Sequence, residues 1–467
     1  MAVEPQQLVV VGGGAAGVFG AIAAAQANPA LAVTILEAGP TPLAKVRISG
    51  GGRCNVTHAC FDPALLVTHY PRGARELRSA FSRFQPADTM AWFEQRGVAL
   101  KREADGRIFP RSDDSATIID CLLGEVTRLG ITLHLRQPVM QVEPQGQGFG
   151  VTTRGGQRWY GDRLLLATGS GGVGYRLAQA LGHTLVPPVP SLFTFTIPDP
   201  QLRSLAGVAL PAVHLKLVLE SAQPLEQTGA LLITHWGMSG PAVLKLSAFG
   251  AIPLHRQGYR ATLVVNWLPG RATPEQGRLT NQPTYSGTVS RDQPNPRGSR
   301  QSPASPDQWR QTLLAFKHEQ GKRSLASATP CPLPRRLWQY LVQHRAGLPA
   351  DLTWASLSKP QLNRLLTCLT ADAYEIAGKG VFKEEFVTCG GIDLREVNFQ
   401  TLESRRCPGL YLAGELLNID GITGGFNFQN AWTTGWLAGQ GMAGTRLNNK
   451  TSAPDQTRHP ARSRQND

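Results

Sequence analysis

The sequence predicts an α/β chain in which a Rossmann-like nucleotide-binding domain, built from both ends of the sequence, is interrupted by a β-barrel-like plus helical insert. Three observations predict it. An apolar run at 8–11 turns into Gly12-x-Gly14-x-x-Gly17 and then into a small-residue helical run. Short β-type runs take over from Pro187, and a strand, glycine and helix pattern returns between Gly409 and Ala431.

The elements follow in order. Leu8 to Val11 is β-branched and apolar, Ala15 to Ala27 is small and helical, and Ala32 to Leu36 is a second strand ending on Glu37, which together open a βαβ unit. A helical pattern from Ser112 to Leu129 precedes strand-like segments at Thr132 to Leu135, Val139 to Val142, Gly150 to Thr153 and Arg163 to Ala167, which fit a meander over a parallel sheet. Phe193 to Ile197, Val213 to Leu219, Ala230 to Thr234 and Ala261 to Trp267 read as a separate β module, followed by helices at Trp309 to His318, Arg335 to Gln343 and Lys359 to Leu369. Strand character returns at Glu385 to Thr388 and Leu410 to Ala413.

The boundaries expected from this pattern are a first cofactor part at 1–190, an insert at 191–365, a second cofactor part at 366–446 and a basic tail at 447–467. Within the insert, residues 271–306 hold six Pro among Gln, Ser, Arg and Asn with few apolar side chains, and are expected to be disordered.

Composition narrows the function. The 467 residues carry 47 Lys+Arg against 33 Asp+Glu, a net charge of +14 that raises the question of nucleic acid. Six Arg against three acids lie between Arg271 and Arg310, and five basic residues, Arg446 included, stand against two acids from Arg446 onward, so nearly half the excess sits in segments read as unstructured. Nucleic acid is therefore not the expected partner; a small molecule is. Seven cysteines are thinly spread without Cys-x-x-Cys or a Cys/His cluster, which speaks against a disulfide scaffold and a metal site. There is no secretory signal pattern and no run of eighteen apolar residues, so a cytoplasmic protein is expected; the oligomeric state is left open.

The residues that carry chemistry begin with the glycine turn. Gly12 allows the tight bend, Gly14 admits a pyrophosphate and Gly17 lets the helix pack on the strand, while Ala15 and Ala16 begin a helix whose N–H groups and dipole face the phosphates. Glu37, 25 residues after Gly12, with Ala38 beside it, is placed to accept from an adenosine ribose. The late segment supplies Gly414-Glu415, a carboxylate for the flavin ribityl chain, and Gly424-Gly425 at a helix N-terminus for the pyrimidine edge of the flavin. FAD is thus favoured over NAD, in a two-part, glutathione-reductase-like fold. Lys45, Ser49, Gly50, Gly51, Arg53, Cys54 and Asn55 form a Gly-rich, basic stretch suited to an anion, and Thr168-Gly169 follows a strand that should approach the cofactor.

These segments resemble the BaiN-like NAD(P)/FAD-dependent oxidoreductases, which include aminoacetone oxidase. The resemblance runs through Ser49-Gly-Gly-Gly-Arg-Cys-Asn55, Gly106-Arg-Ile-Phe-Pro110, Ala167-Thr-Gly169, Thr234-His-Trp-Gly-Met-Ser-Gly-Pro241, Val387-Thr-Cys-Gly-Gly391, and Gly414-Glu415 with Gly424-Gly-Phe426-Asn427. It implies an FAD-dependent oxidoreductase acting on a small organic molecule, by amine or aminoketone oxidation or by NAD(P)H-linked reduction of an activated double bond. His58 and Phe426 depart from the Asn and Tyr common in the family.

Three further features bear on the chemistry. His235 is the candidate catalytic acid or base, against a purely structural hydrogen-bonding role. Cys54 and Cys60 do not have a redox-pair spacing and read as packing thiols. Gly169 to Gly174 lead into Pro187-Pro188 and not to a strand ending in an acid, so NAD(P)H is expected only as a transient donor. The alternatives kept open are an RNA-modifying flavoprotein and a non-catalytic flavin-binding protein.

Overall fold

A computed structural model describes residues 6–220, 222–268, 305–380 and 387–444. The expected disordered insertion and basic tail lie almost wholly outside these residues. The chain divides into two compact units, residues 1–188 with 390–467 and residues 189–389.

The first unit is built on a sheet whose parallel core has the order Thr132–His134, β2 (Ala32–Leu36), β1 (Gln7–Val11), Arg163–Leu166 and Leu410–Leu412. Two short antiparallel strands, Glu403–Ser404 and Val397–Asn398, extend it. The central strands β1, Arg163–Leu166 and Leu410–Leu412 are buried on both faces, which is why they read as continuous apolar runs, whereas Thr132–His134 at the edge is partly exposed. The register sets the site: Val11 lies opposite Leu36 and Leu166, and Leu166 opposite Leu412. Gly12, Glu37, Ala167 and Ala413 consequently leave one edge of the sheet side by side, where open α/β sheets bind ligands.

Helix α1 (Ala15–Ala27) packs beneath this edge against the long helix Phe426–Met442. Only glycine fits the seam. A Cβ on Gly435 would lie 2.5 Å from the Ala16 carbonyl oxygen, and one on Gly439 the same distance from that of Gly20. Small residues, not an amphipathic stripe, are what make α1 compatible with burial on nearly every side.

Of the four strand segments expected as a meander at 132–167, the first and last belong to the parallel sheet itself. Only Val139–Gln145, Gly148–Thr153 and Arg158–Gly161 form the antiparallel meander. The basic stretch from Lys45 is also more ordered than a loop: it is a helix, α2 (Ala44–Gly52), kinked at Ser49 to Gly51.

The second unit is a seven-stranded antiparallel sheet in the order Asp372–Ile376, Ala261–Asn266, Ala209–Val218, Leu225–Thr234, Gly237–Ser239, Phe195–Thr196 and Gly378–Lys379. Its first and last strands are separated in sequence by Ala377 alone, so the sheet curls back on itself in a barrel-like way. Ala377 donates its N–H to Thr196. Helices Pro306–Glu319, Arg335–Tyr340 and Lys359–Thr370 add a second layer whose core holds Trp267, Trp338 and Trp354. The pairing of Asp372–Ile376 with Ala261–Asn266 keeps that strand in the insert. The chain therefore returns to the first unit at Gly390, not at 366.

One buried polar cluster fixes this unit. Asp372 accepts from Arg345 at 2.6 and 2.8 Å, from the Tyr374 hydroxyl at 2.5 Å and from the Trp267 indole at 3.1 Å. Burial pushes its carboxyl above the ordinary value, and Arg345 opposes that shift. Among the described residues no helix is long and apolar enough to cross a membrane.

Candidate functional site

The site grows from the turn after β1. Gly12 donates to the Leu36 carbonyl at 2.9 Å with φ at +109°, and a Cβ there would sit 2.5 Å from the Ala167 carbonyl oxygen. Gly17 is held more tightly, since its Cβ would be 1.9 Å from the Gly12 carbonyl oxygen. Gly14, by contrast, caps α1 with nothing within 4 Å of a would-be Cβ, and no side chain satisfies the helix end. Ala15 and Ala16 begin that helix, whose first turn has no acid. Free N–H groups and an uncompensated positive dipole end therefore face open space, an arrangement that takes a phosphate.

Glu37 follows β2 at the same edge. Its carboxylate accepts from the Gly13 N–H at 2.7 Å and from the Gly39 N–H at 2.6 Å, which fixes both oxygens beside the glycine turn, with Ala38 exposed next to it. Glu37→Gln turns an amide N–H toward one of these two donors, a mismatch of roughly 1.5–3 kcal/mol. FAD affinity, read by quenching of flavin fluorescence on titration into apoprotein, should fall about tenfold to a hundredfold.

The two ends of the chain meet around α2. Lys45 pairs with Glu415 at 2.5 Å across 370 residues, and Glu415 lies 3.8 Å from a would-be Cβ on Gly169. Gly50 and Gly51 take left-handed φ of +58° and +71°, so their peptide groups are turned out of the helix, and Ser49 donates to Val46. Gly414 donates to Thr434 at 2.9 Å. The Asn55 amide, oriented so that both its ends are satisfied, accepts from the Gly425 N–H at 2.9 Å and donates to Thr57 at 3.0 Å and Ile108 at 3.3 Å. It ties the start of helix Phe426–Met442 to the segment after α2.

Other candidates serve the frame. Arg53 is engaged by Glu103 at 2.8 Å and Asp113 at 3.5 Å and lies 4.1 Å over the Phe109 ring, so its charge is answered within the protein. Cys54 is buried and its thiol is pushed up to about 12 by burial, a packing group rather than a nucleophile. Asn427 closes the loop at Gly421, accepting from its N–H at 2.8 Å and donating to its carbonyl at 2.9 Å.

The two departures from the family pattern touch each other. His58 stacks on Phe426 at 4.8 Å and 22°, and His69 stacks on the same ring at 4.3 Å and 25°. Tyr70 holds the Phe426 carbonyl at 2.6 Å. His235 belongs to the second unit, where it is exposed in the turn between Leu225–Thr234 and Gly237–Ser239.

Two buried polar atoms test whether a cofactor fits. Thr168 Oγ1 and Asn430 Oδ1 are both buried with no hydrogen-bond partner among the described residues. Protein interiors rarely leave such atoms unpaired, although several other buried side-chain atoms among the described residues share this state. Thr168 stands next to Ala167, where the strand Arg163–Leu166 leaves the sheet. Asn430 lies one turn into helix Phe426–Met442, and its carbonyl accepts from Thr434, the residue that also holds Gly414. No motif or spacing singles out Asn430, one polar residue among several on that helix. Dipole ends at Gly14 and Gly425, the Glu37 carboxylate and the Lys45–Glu415 pair together fit a flavin dinucleotide.

Comparison with known proteins agrees in scale with this layout. The profile of the family described as "HI0933-like protein Rossmann domain" matches residues 6–441. The ribosomal RNA dihydrouridine synthase of Escherichia coli K12 is 30% identical over 447 residues, covering 93% of this chain and 97% of that protein. The 3-dehydro-bile acid delta(4,6)-reductase of Clostridium scindens is 31% identical over 442 residues, covering 93% and 98%. Among solved structures, 3-ketosteroid delta1-dehydrogenase from Sterolibacterium denitrificans aligns with 95% of this chain and 100% of its own at 14% identity and a TM-score of 0.46.

Proposed function

Since the chain belongs to the HI0933-like Rossmann family and is an oxidoreductase, we propose that it is an FAD-dependent reductase of carbon–carbon double bonds conjugated to a carbonyl. The observation that carries the reading is the cradle at one sheet edge, where Gly12, Glu37 and Gly414 lie together and the helix start at Gly425 is tied in by Asn55. The names of the two relatives supply the reaction type. A dihydrouridine synthase and a delta(4,6)-reductase both saturate a ring double bond, and uracil C5=C6, like a steroid double bond beside a 3-keto group, is polarised by a carbonyl.

FAD bound here would, once reduced by NAD(P)H, supply a hydride for the electron-poor β-carbon. The protein does the rest. The N-terminus of helix Phe426–Met442, held by Asn55 at Gly425, offers positive dipole to negative charge at the flavin pyrimidine edge. Lys45 fixes Glu415 for the ribityl hydroxyls. A proton must reach the α-carbon, and His235 is the proposed acid, because it is an exposed imidazole in a motif turn. The electrons come from NAD(P)H that docks transiently, since the glycines at 169–174 lead to a helix, Gly172–Ala180, and then to the strand Leu185–Ser191, which pairs with Val387–Ile392.

The test is anaerobic. NADPH or NADH should bleach the flavin, and a cyclic enone or a uridine-containing RNA should restore its colour while gaining two hydrogens by mass. Bleaching by an amine, with peroxide formed on admitting oxygen, would replace this reading by amine oxidation. Of the two substrate kinds we favour the uracil of an RNA, a choice that rests on where the positive charge of the chain lies.

A further inference from the structure

The helices of the insert carry charge that the rest of the ordered protein does not. Between Pro306 and Thr370 there are nine Lys and Arg against three carboxylates, Asp307, Glu319 and Asp351. Among the described residues only Arg345 of the nine is in an ion pair, with Asp372. The described part of the first unit is nearly balanced, with 21 basic against 18 acidic residues over 6–188 and 390–444.

Local packing gathers this charge along one seam. Helix Pro306–Glu319 lies against Lys359–Thr370, with Arg310 donating to Asn363 at 2.7 Å and Lys317 to the Leu357 carbonyl at 2.5 Å. The following loop runs beside the approach to the second helix: the Ala355 N–H donates to Gly321 at 2.8 Å and the Trp354 N–H to Arg323 at 3.0 Å. Lys322, Arg323, Lys359 and Arg364 are exposed around it, and among the described residues their side chains have neither hydrogen bonds nor ion pairs.

Such unneutralised cations on a rigid scaffold suit a chain of phosphates, whose counterions they displace. Of the large apolar side chains exposed among the described residues, only Leu314 belongs to these helices, which is too little for insertion into a lipid surface. Building on the proposed reduction of a uracil, we propose that the seam between helices Pro306–Glu319 and Lys359–Thr370 is the docking surface for the phosphate backbone of an RNA substrate. It orients the RNA, and its side chains take no part in hydride transfer.

The experiment uses the full chain with FAD bound and a labelled, uridine-containing RNA hairpin, with affinity measured by anisotropy across salt concentrations. The variant is Lys322→Gln/Arg323→Gln/Lys359→Gln/Arg364→Gln, four exposed side chains whose loss leaves the fold intact. The control is Arg75→Gln/Arg78→Gln/Arg154→Gln/Arg158→Gln, equally exposed on the first unit. The variant should bind at least about tenfold more weakly, and its slope of log affinity against log salt should be shallower by about 3, close to 0.7–0.9 per lost phosphate contact. The control should shift less than about threefold, and bleaching by NADPH and reduction of a free enone should match wild type in both. Unchanged affinity and slope in the variant, or a wild type that prefers phosphatidylglycerol vesicles to RNA, overturns the docking surface while leaving the reductase reading intact. Failure of wild type to reduce any enone or uridine sinks the reductase reading whatever the binding result.

Discussion

A Gly17→Ala protein is expected to purify colourless and to unfold at markedly lower denaturant than the parent. The added methyl meets the Gly12 carbonyl oxygen at 1.9 Å, and that oxygen belongs to backbone already pinned by the Gly12 hydrogen bond to Leu36. Nothing flexible can move aside, so α1 must shift from the sheet edge by more than an ångström. Overpacking of this kind costs about 3 kcal/mol, and a displacement of that size at a binding constellation costs on the order of a hundredfold. Gly14→Ala is the informative contrast. Gly14 has a φ of −84° that alanine accepts, with nothing near the new methyl, so stability should hold within about 0.5 kcal/mol while FAD retention falls. A yellow Gly17→Ala protein of normal stability would overturn this account of the turn.

The second large effect lies in the insert. Asp372→Ala removes one acceptor from three donors at once: the Arg345 guanidinium, the Tyr374 hydroxyl and the Trp267 indole. Breaking a buried ion pair from one side typically costs about 3–5 kcal/mol. Arg345 keeps 28% exposure and can turn partly to water, so the lower end, about 3 kcal/mol, is expected. Urea unfolding followed by tryptophan fluorescence reads this directly, because Trp267 is one of the three donors. Arg345→Met paired with Asp372→Leu should recover the part of the loss that comes from the uncompensated Arg345 charge, leaving the part that comes from the Tyr374 and Trp267 donors. A double variant as unstable as the single would show that the Arg345 charge is not the source of the loss.

Where the signals are local, the sequence was enough. Helix α1 and strand β2 fall at Ala15–Ala27 and Ala32–Leu36, as the glycine turn before the helix and the Asn28-Pro29 break after it indicate. The resemblance carried by six motifs agrees with a family match spanning residues 6–441. What was missed depends on partners far away in sequence. Asp372–Ile376 alternates buried and exposed like any half-buried strand, and only its pairing with Ala261–Asn266 assigns it to the insert. Thr132–His134 looked like part of a meander because nothing in its residues reveals a parallel partner at β2. Asn430 carries no spacing signal; its orphaned oxygen is visible only once the helix is packed.

The weight given to charge also changes. The sequence discounted +14 because two unstructured-looking segments held much of it, yet the ordered stretch 306–370 carries an excess of similar size, nine basic against three acidic residues. Charge on a fixed scaffold has a geometry, and geometry can be tested by substitution.

The glycine seam has a consequence for the order of synthesis. Helix α1 leaves the ribosome with an apolar surface on nearly every side, well ahead of its cover, the helix at 426–442. At about 5–20 residues per second, the roughly 400 residues between them take some 20–80 s to appear. The insert, continuous at 189–389, can collapse in that interval; the cofactor unit cannot. Loading of FAD must then be a post-translational event, and nascent chains stalled before Gly435 would present an uncovered α1 to chaperones.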